Sequence, residues 1–458
     1  MKKVLSMLLA VSMAASVLTA CGGTSTGSST STEASGSTGA TASTAAGEGD
    51  YAGQTLKVAA IETAYGSEMW QKVADAFEAK TGATVELTTD KNLEDVIDPQ
   101  MKAGNYYDVV HLATGREKAL PETMLKENAL ADLSDVLGMK VLGEEVTVGE
   151  KIIPGFTGNL TTNPYSDERV FMMPMFYSPC GLFYNKANFT EGGGTLTLPT
   201  TWDEFFALAD QTDIPLFTYP TAGYLDAFIY AMIPEVGGQD FFNNALKYDE
   251  ATWASEDMGK MFDVLGKLAA NTEKSTPSNG NNDNFTKNQQ LILDNKALFM
   301  PNGNWVIGEM ADAPRADGFE WGFMALPAME QGGDRYSYTF FEQCWVPAGS
   351  QNQDLAKLFI SYLYSDEAAS IFAEAGAVQP IVGMTDKLSD DNKVYYSVYD
   401  NGAKAAIGTF ATTKPVEGMN FKQIFCFTMD SVVNGTKTAE QWHTDMQDAC
   451  KTMAAAME

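Results

Sequence analysis

Residue types that support catalysis are sparse in this chain of 458 residues. Its two histidines, His111 and His443, lie far apart in sequence, and neither has a neighbour at the spacing of metal ligands. The sequence contains no nucleophile elbow, phosphate-binding loop or zinc signature. Its 60 acidic residues leave a catalytic pair of carboxylates, as in a glycoside hydrolase, open as an alternative. Because the sequence lacks these motifs, we predict a protein that is not an enzyme and that uses no cofactor and no metal.

One stretch, KALFMPNGNW at residues 296–305, indicates a different use of side chains. An apolar run ends at a proline, and a tight polar turn then delivers the large ring of Trp305. Asn302 and Gly303 are residue types that build such turns, and we expect them to do this rather than contact a ligand. Two interpretations of the ring stay open: it lines a binding site, or it is buried between a strand and a helix.

The charge balance limits the classes of partner. The chain has 30 basic and 60 acidic residues, a formal net charge of −30. A protein that binds a phosphate backbone needs a basic surface that releases counterions, and this composition offers none. We predict no nucleic-acid partner and an acidic, solvated surface. With 45% hydrophobic residues the chain is typical of a globular protein, and its length predicts two to three domains.

The first fifty residues predict export and attachment to a membrane. Two lysines precede an apolar segment at residues 4–17, and Leu-Thr-Ala-Cys follows. This pattern is typical of a signal peptide at 1–20, and its cleavage site resembles a bacterial lipobox, in which Cys21 is lipidated. Residues 21–50 are almost all Gly, Ser, Thr and Ala, so we expect a flexible tether with a reach of roughly 30 Å. The predicted location is extracytoplasmic, anchored to the cell membrane by the N-terminal lipid.

The order of the predicted elements indicates an α/β fold with two lobes. The strand-like runs TLKVAAIE, ATVEL and YDVVHLA open the body of the chain, and an amphipathic helix lies between the first two. Strand, helix and strand joined by short connections are typical of a doubly wound α/β domain. Later helices carry start signals, because Thr201 with Glu204 and Thr438 with Gln441 have the pattern of capping boxes.

The cysteines of the body lack the close spacing of a metal or redox motif. They are Cys180, Cys344, Cys426 and Cys450. Buried free thiols are the default interpretation. An exported location permits disulfides, and Cys426 and Cys450 flank a predicted helical hairpin, so a bridge between these two stays open.

Eight motifs occur in one order over almost the whole chain, and FYNK followed by PTTWDEF is the most specific pair among them. The eight are the lipobox, FEAKTGATVEL, YDVVHLA, ALADLSD, GLFYNKANF, LPTTWDEF, KALFMPNGNW and LFISYLYSDEAASIFAEAG. By these motifs the sequence resembles the extracellular solute-binding proteins of ABC importers, in the carbohydrate-binding family of the maltose-binding-protein type.

The resemblance implies a type II periplasmic-binding-protein fold, in which two α/β lobes are joined by crossing hinge strands and hold solute in the cleft between them. The implied crossings lie near residues 175–180, 340–344 and 377–380. Cys180 and Cys344 fall at neighbouring crossings, so a contact between them also stays open. The implied N-terminal lobe comprises 51–176 and 343–378, and the C-terminal lobe comprises 177–342 and 379–458.

The implied function is that of a lipid-anchored substrate-binding component of an ABC transporter, which binds a sugar or oligosaccharide for import. The implied partners are a small carbohydrate, the ABC permease subunits and the membrane, and we expect a monomer. Three alternatives stay open. They are a binder of a polyamine or another small solute, a sugar-sensing or adhesive surface lipoprotein, and, with less support, a surface glycoside hydrolase.

The family also implies which residues contact the solute. Its NG-x-W turn carries a tryptophan on which sugar stacks, and a sugar suits such a ring because it has apolar C–H faces and hydroxyl edges. NGNW matches this turn, so Trp305 is the leading candidate. Further candidates lie in loops and crossing strands that match cleft segments of the family. They are Glu62, Tyr65, Arg116, Tyr177, Tyr224, Asp226 and Glu342.

The sequence departs from the maltose-binding type at three cleft positions. Leu112 and Gly115 stand where that type has a ligand-contacting aromatic residue and an acid. Ser178 stands with Tyr177 where it places a carboxylate. Maltodextrin as the substrate therefore does not carry over from the resemblance.

Overall fold

The computed structural model describes residues 51–457 with a few short gaps. The predicted signal peptide, the lipidation at Cys21 and the tether at 21–50 lie outside the described residues. Within the described part, no helix is long and apolar enough to cross a membrane. The gaps are Ala64, Glu117, Ser166, residues 281–283 and Thr412.

A mixed sheet of eight strands organises the described residues. The strands are β1 (Thr55–Ile61), β2 (Thr84–Asp90), β3 (Val109–His111), β4 (Met173–Asn185), β5 (Phe299–Gly303), β6 (Trp321–Met324), β7 (Tyr336–Trp345) and β8 (Lys404–Ala406). Their order is β2-β1-β3-β7-β4-β5, with β6 paired to β4 and β8 to β7. β1 lies parallel to β2 and β3, whereas β4 and β7 are antiparallel.

Helices pack around this sheet. They are α1 (Glu68–Thr81), α2 (Leu93–Lys102), α3 (Leu120–Lys126), α4 (Val148–Lys151), α5 (Trp202–Ala207), α6 (Leu225–Leu246), α7 (Glu250–Trp253), α8 (Glu256–Ala270), α9 (Thr276–Asn279), α10 (Thr286–Leu293), α11 (Val306–Glu309), α12 (Gln353–Leu363), α13 (Asp366–Glu374), α14 (Asp390–Tyr396), α15 (Thr428–Val433) and α16 (Ala439–Ala455). A π-helical turn at Gln423–Phe427 precedes α15. The predicted first helix is α1, whose apolar face buries Met69, Val73 and Phe77 against the sheet's core.

The two predicted capping boxes differ in outcome. At α16 both halves form, because Thr438 Oγ1 accepts from the Gln441 backbone N–H and the Gln441 side chain accepts from the Thr438 backbone N–H. At α5 Thr201 accepts from the Glu204 N–H, but the Glu204 carboxylate turns to the backbone and hydroxyl of Thr200 instead. The helix starts at the predicted place in both cases.

Strands β4 and β7 connect two hydrophobic cores. The first residues of β4, including Met173 and Phe176, belong to a core with α1 and α12, whereas Leu182 belongs to a core with α6, α8 and α16. A third segment, at Val378, lies beside β4, because the Tyr177 N–H donates to Val378 O at 3.0 Å. The three predicted crossings therefore lie side by side, and the lobe boundaries drawn through them stay a prediction.

The four cysteines of the described region are free and buried. Cys180 lies opposite Tyr338 in the sheet and Cys344 lies opposite Met173, so they sit at different positions along the β4–β7 pair. Neither bridge left open by the sequence is present. Among the described residues, no group of histidine, cysteine or acidic side chains is arranged to hold a metal ion.

The capping box at α16 generates a stability prediction. We expect Thr438→Ala to lower the free energy of unfolding by about 1 kcal/mol, because the Gln441 backbone N–H loses the hydroxyl oxygen that accepts its hydrogen bond. Thr444→Ala, in the exposed middle of the same helix, is the control and should be neutral or stabilising because alanine has the higher helix propensity. Urea unfolding measures both. Equal effects of the two changes would show that the box does not stabilise the helix.

Candidate functional site

A cavity of about 940 Å³ lies beside the paired strands β4, β5 and β7. One wall comes from α3, from the loop before it and from the segment around Tyr165. The opposite wall comes from the end of β5, the start of α6 and the π-helical turn. The two walls belong to chain segments that pack in different cores, so the cavity lies where the segments meet. Such a cleft is the usual location of a binding site in an α/β protein.

Trp305 stands in the cavity because Gly303 leaves room for its ring. Gly303 ends β5 opposite Cys180 of β4, and the tryptophan follows two residues later. The ring folds back over the glycine so closely that a Cβ there would lie 2.1–2.5 Å from three ring atoms. On its other side the ring meets Phe340 edge to face, with centroids 6.1 Å apart. The polar turn of the sequence thus holds a half-buried aromatic ring at the cavity wall.

Asn302 has a second function that the sequence analysis missed. Its Oδ1 accepts a hydrogen bond from the Gly303 N–H at 2.9 Å, which is the expected contribution to the turn. The residue borders the cavity, and its buried Nδ2 has no hydrogen-bond partner in the protein. A buried donor without a partner costs about 1–3 kcal/mol of stability. The expectation that this residue only builds the turn is therefore incomplete, and only the three-dimensional position of Nδ2 reveals this.

Tyr224 and Asp226 are the other predicted residues that line the cavity with Trp305. They lie at the start of α6, where Asp226 Oδ1 accepts from the Ala227 N–H. Asp226 Oδ2 accepts from Lys422 Nζ at 3.0 Å. Burial lowers the pKa of Lys422, but the charge and the hydrogen bond of Asp226 outweigh it and raise that pKa above its usual value. The carboxylate is thus already paired with a cation of the protein.

A group of aromatic rings that the sequence did not indicate forms the far end of the second wall. Phe410 packs against Phe421 and Phe425, with ring centroids 4.6 Å and 5.0 Å apart. Tyr230 stacks on Tyr338 at 5.2 Å, and all five residues border the cavity. They come from α6, β7, a loop and the π-helical turn, so no local periodicity marks them as a set.

The first wall carries Glu122, which was also not predicted. Its Oε1 accepts from the Gly115 N–H at 2.5 Å, whereas its buried Oε2 has no partner. Burial raises the pKa of this carboxyl group above its usual value, although the Gly115 N–H opposes the shift. One helical turn later Lys126 Nζ donates to Thr413 O at 3.2 Å, which links this wall to a loop of the second wall.

Two predicted residues make ion pairs beside the cavity and do not line it. Arg116 follows Gly115, but its Nε donates to Glu94 Oε2 at 3.0 Å. Glu62 follows β1, and its Oε1 lies 3.6 Å from Lys91 Nζ. Their side chains are about one-third exposed, so both have access to solvent.

Three further predicted residues, Tyr65, Glu342 and Tyr177, lie among buried groups near the crossing strands. Tyr65 Oη is 3.2 Å from Ser178 Oγ, and burial together with the charge of Glu342 raises the pKa of Tyr65 to about 12. Glu342 Oε2 lies 3.0 Å from His111 Nε2.

Tyr177 is the most enclosed of the three. Its ring packs edge to face against Phe156 and Tyr396, and only 2% of its surface is exposed. The structure therefore brings together three of the eight predicted ligand-binding residues at the cavity and places five elsewhere.

Comparison with known proteins gives a consistent result. A family model described as "Bacterial extracellular solute-binding protein" matches residues 72–403. Among curated proteins, the diacetylchitobiose-binding protein DasA of Streptomyces coelicolor is 24% identical over 345 residues, which cover 73% of this chain and 75% of DasA. The Streptococcus mutans multiple sugar-binding protein is 26% identical over 251 residues, 47% of this chain and 58% of its own length.

Solved structures agree in fold. The apo form of RafE from Streptococcus pneumoniae matches with a TM-score of 0.65 at 18% identity, over 88% of this chain and 98% of that one. RafE in complex with raffinose matches with a TM-score of 0.59 at 19% identity, over 87% and 99%. These neighbours are type II periplasmic-binding proteins, so the predicted fold class is confirmed.

The close approach at Gly303 gives a prediction about the turn. We expect Gly303→Ala to displace the Trp305 ring and to lower the free energy of unfolding by about 1–3 kcal/mol, because the added methyl group overlaps the ring. Gly308→Ala is the matched control, since no atom lies within 4 Å of the place that its added methyl group would occupy. Near-ultraviolet circular dichroism and urea unfolding report the two effects. An unchanged spectrum for Gly303→Ala would contradict the close packing of the ring on the glycine.

Glu122 gives a prediction about pH. Its raised pKa means that the folded protein binds this proton more tightly than the unfolded chain does. Stability is therefore lost as pH rises through the raised value, whereas below the ordinary glutamate value of about 4.3 the group has no effect. The melting temperature of Glu122→Gln minus that of the parent should therefore be larger at pH 8 than at pH 4. A difference between the two proteins that does not change with pH would contradict this.

Proposed function

This chain belongs to the family of bacterial extracellular solute-binding proteins, and from that membership we propose that it is the sugar-binding component of an ABC importer. The resemblance found in the sequence is confirmed by the family match. Its relatives and structural neighbours are binding receptors, so the prediction that it is not an enzyme is confirmed as well. The solute in this proposal is a sugar or oligosaccharide that binds in the cavity of about 940 Å³.

The observation that carries the proposal is the half-buried ring of Trp305 at the cavity wall. A sugar ring has an apolar C–H face that stacks on an aromatic ring and hydroxyl groups that need polar partners. The cavity offers both, because Tyr224 and Asp226 lie on the same wall as the tryptophan. The indole packs on Gly303 and meets Phe340 edge to face, so contacts within the protein hold the ring in place.

The extent of the aromatic surface favours more than one sugar unit. Trp305 and Phe340 form one aromatic group, and the rings around Phe410 form a second at the far end. Each group can cover one face of a separate sugar ring. The names of relatives point the same way, since DasA is named for diacetylchitobiose and RafE has been solved with raffinose.

In the proposed mechanism the solute closes two lobes, 51–176 with 343–378 and 177–342 with 379–458. The strands β4 and β7 and the segment at Val378 cross between these lobes and act as the hinge. Binding favours closure only if the solute contacts the closed form better than the open form. A solute that touches both walls of the cavity satisfies this condition.

The N-terminal segment supports a lipid-anchored protein. In this proposal Cys21 carries the lipid, the segment at 21–50 is the tether, and the monomeric body delivers solute to ABC permease subunits. The extracytoplasmic location agrees with membership of an extracellular family. The same cleft would serve a sugar-sensing lipoprotein, and only a permease partner separates the two.

Polyamine binding receives less support from the cavity. A cationic solute needs carboxylates that have no cation of their own. Asp226 is paired with Lys422, and Glu342 lies beside His111 away from the cavity. Among the described residues, Glu122 on the other wall is then the single lining carboxylate without an ion pair, whereas a polyamine carries several cationic groups. A neutral solute does not need carboxylates that are free of ion pairs, so the cavity suits it better.

The proposal is tested with residues 51–458 and a panel of raffinose, N,N′-diacetylchitobiose, maltose, galactose and spermidine. We expect one of the sugars to raise the melting temperature and to bind in calorimetry. Trp305→Ala should weaken that binding at least tenfold, about 1.4 kcal/mol, because stacking and apolar contact are lost.

Trp305→Phe serves as the control variant, since it keeps an aromatic ring and should retain part of the affinity. Binding of spermidine alone would overturn the carbohydrate proposal and leave the fold intact. Equal sugar binding by Trp305→Ala and the parent would remove the tryptophan from the site.

A further inference from the structure

Two residues that border the cavity each carry a buried polar atom without a partner in the protein. The atoms are Nδ2 of Asn302 on β5 and Oε2 of Glu122 on α3, and the two residues lie on opposite walls. Other side chains of the described residues with unpartnered buried atoms, such as Gln379, Asn288 and His111, do not border it. The protein thus leaves one donor and one acceptor unsatisfied at the place where a solute would bind.

The orientation of the Asn302 amide is fixed by the turn. Oδ1 must face the Gly303 N–H, because only an oxygen can accept that hydrogen bond. Nδ2 therefore lies on the side of the amide turned away from the Gly303 N–H. The side chain is 4% exposed, so water has little access to it from outside. A bound oxygen atom would supply the missing acceptor.

Glu122 is held in a similar way on the other wall. Its Oε1 is engaged by the Gly115 N–H, which directs the second oxygen away from the loop. Oε2 is buried and can accept a hydrogen bond from an O–H or N–H group of a solute. The link from Lys126 to Thr413 shows that this wall reaches the opposite segment of the chain.

On the premise of the proposed function, we propose that Asn302 and Glu122 select the solute by forming hydrogen bonds with it from the two walls. Asn302 Nδ2 donates to an oxygen of the sugar unit near Trp305, and Glu122 Oε2 accepts from a hydroxyl or amide N–H group at the other wall. The solute class is a neutral carbohydrate, because an acidic sugar would place its carboxylate against Glu122. The two contacts exist together only when the walls are close, so they also favour the closed form.

The test measures sugar affinity by calorimetry for the parent, two test variants and one control variant. The ligands are the same panel of sugars, with glucuronic acid as a further member. Asn302→Ala removes the donor without adding charge, and Glu122→Gln replaces the accepting oxygen with an NH₂ group while Oε1 keeps its bond. Each should weaken binding of the sugar that the parent binds at least tenfold. Asn304→Asp is the matched control, since this neighbour does not border the cavity, and it should bind within twofold of the parent.

Ligand-free melting temperatures establish that each variant is folded, and Glu122→Gln keeps the test decisive if Asn302→Ala proves unstable. If the parent binds a sugar and both variants bind it equally well, this inference is wrong and the proposed function stands. Preferred binding of glucuronic acid by the parent also overturns it. If the parent binds no carbohydrate at all, the proposed function and this inference fall together.

Discussion

The pairing of β4 with β7 is the interaction on which the other features depend. The two strands run antiparallel from Met173 opposite Cys344 to Cys180 opposite Tyr338, with an irregularity after Pro174. Their backbone hydrogen bonds connect elements that are packed in separate cores. The same strands also form the back of the cavity through residues such as Cys180 and Phe340. One ladder therefore both joins the halves of the protein and positions the groups that face a solute.

Local signals in the sequence predicted the elements and part of the site. Alternation, helical periodicity and capping patterns depend on residues a few positions apart, so β1, α1 and the start of α16 could be read directly. Trp305 became a candidate through the resemblance of NGNW to the family's turn, and the structure places it at the cavity wall. The cavity is assembled from segments near 122, 302 and 410, and no local pattern records that these segments meet.

Contacts with other parts of the chain account for the positions of three candidates that do not line the cavity. A loop after a strand was expected to direct its polar side chains into the cleft, but a charged side chain turns to the nearest opposite charge. Arg116 turns to Glu94, and Glu62 lies beside Lys91. Tyr177 packs against Phe156 and Tyr396 in β4, a strand whose residues are all buried, and burial raises the pKa of its hydroxyl group far above the usual value. Competing partners of this kind lie far along the chain and are not visible in a motif.

The buried thiols impose a constraint on how the protein matures. Burial raises the pKa of Cys180 and Cys344 above the ordinary thiol value, and the thiolate is the reactive form. In an oxidising compartment an exposed cysteine is modified or cross-linked. Cys344 is fully buried, and Cys180 is 3% exposed although it borders the cavity. If the chain reaches such a compartment, its thiols stay reduced only when folding is faster than their oxidation, so the arrangement favours a chain that folds rapidly.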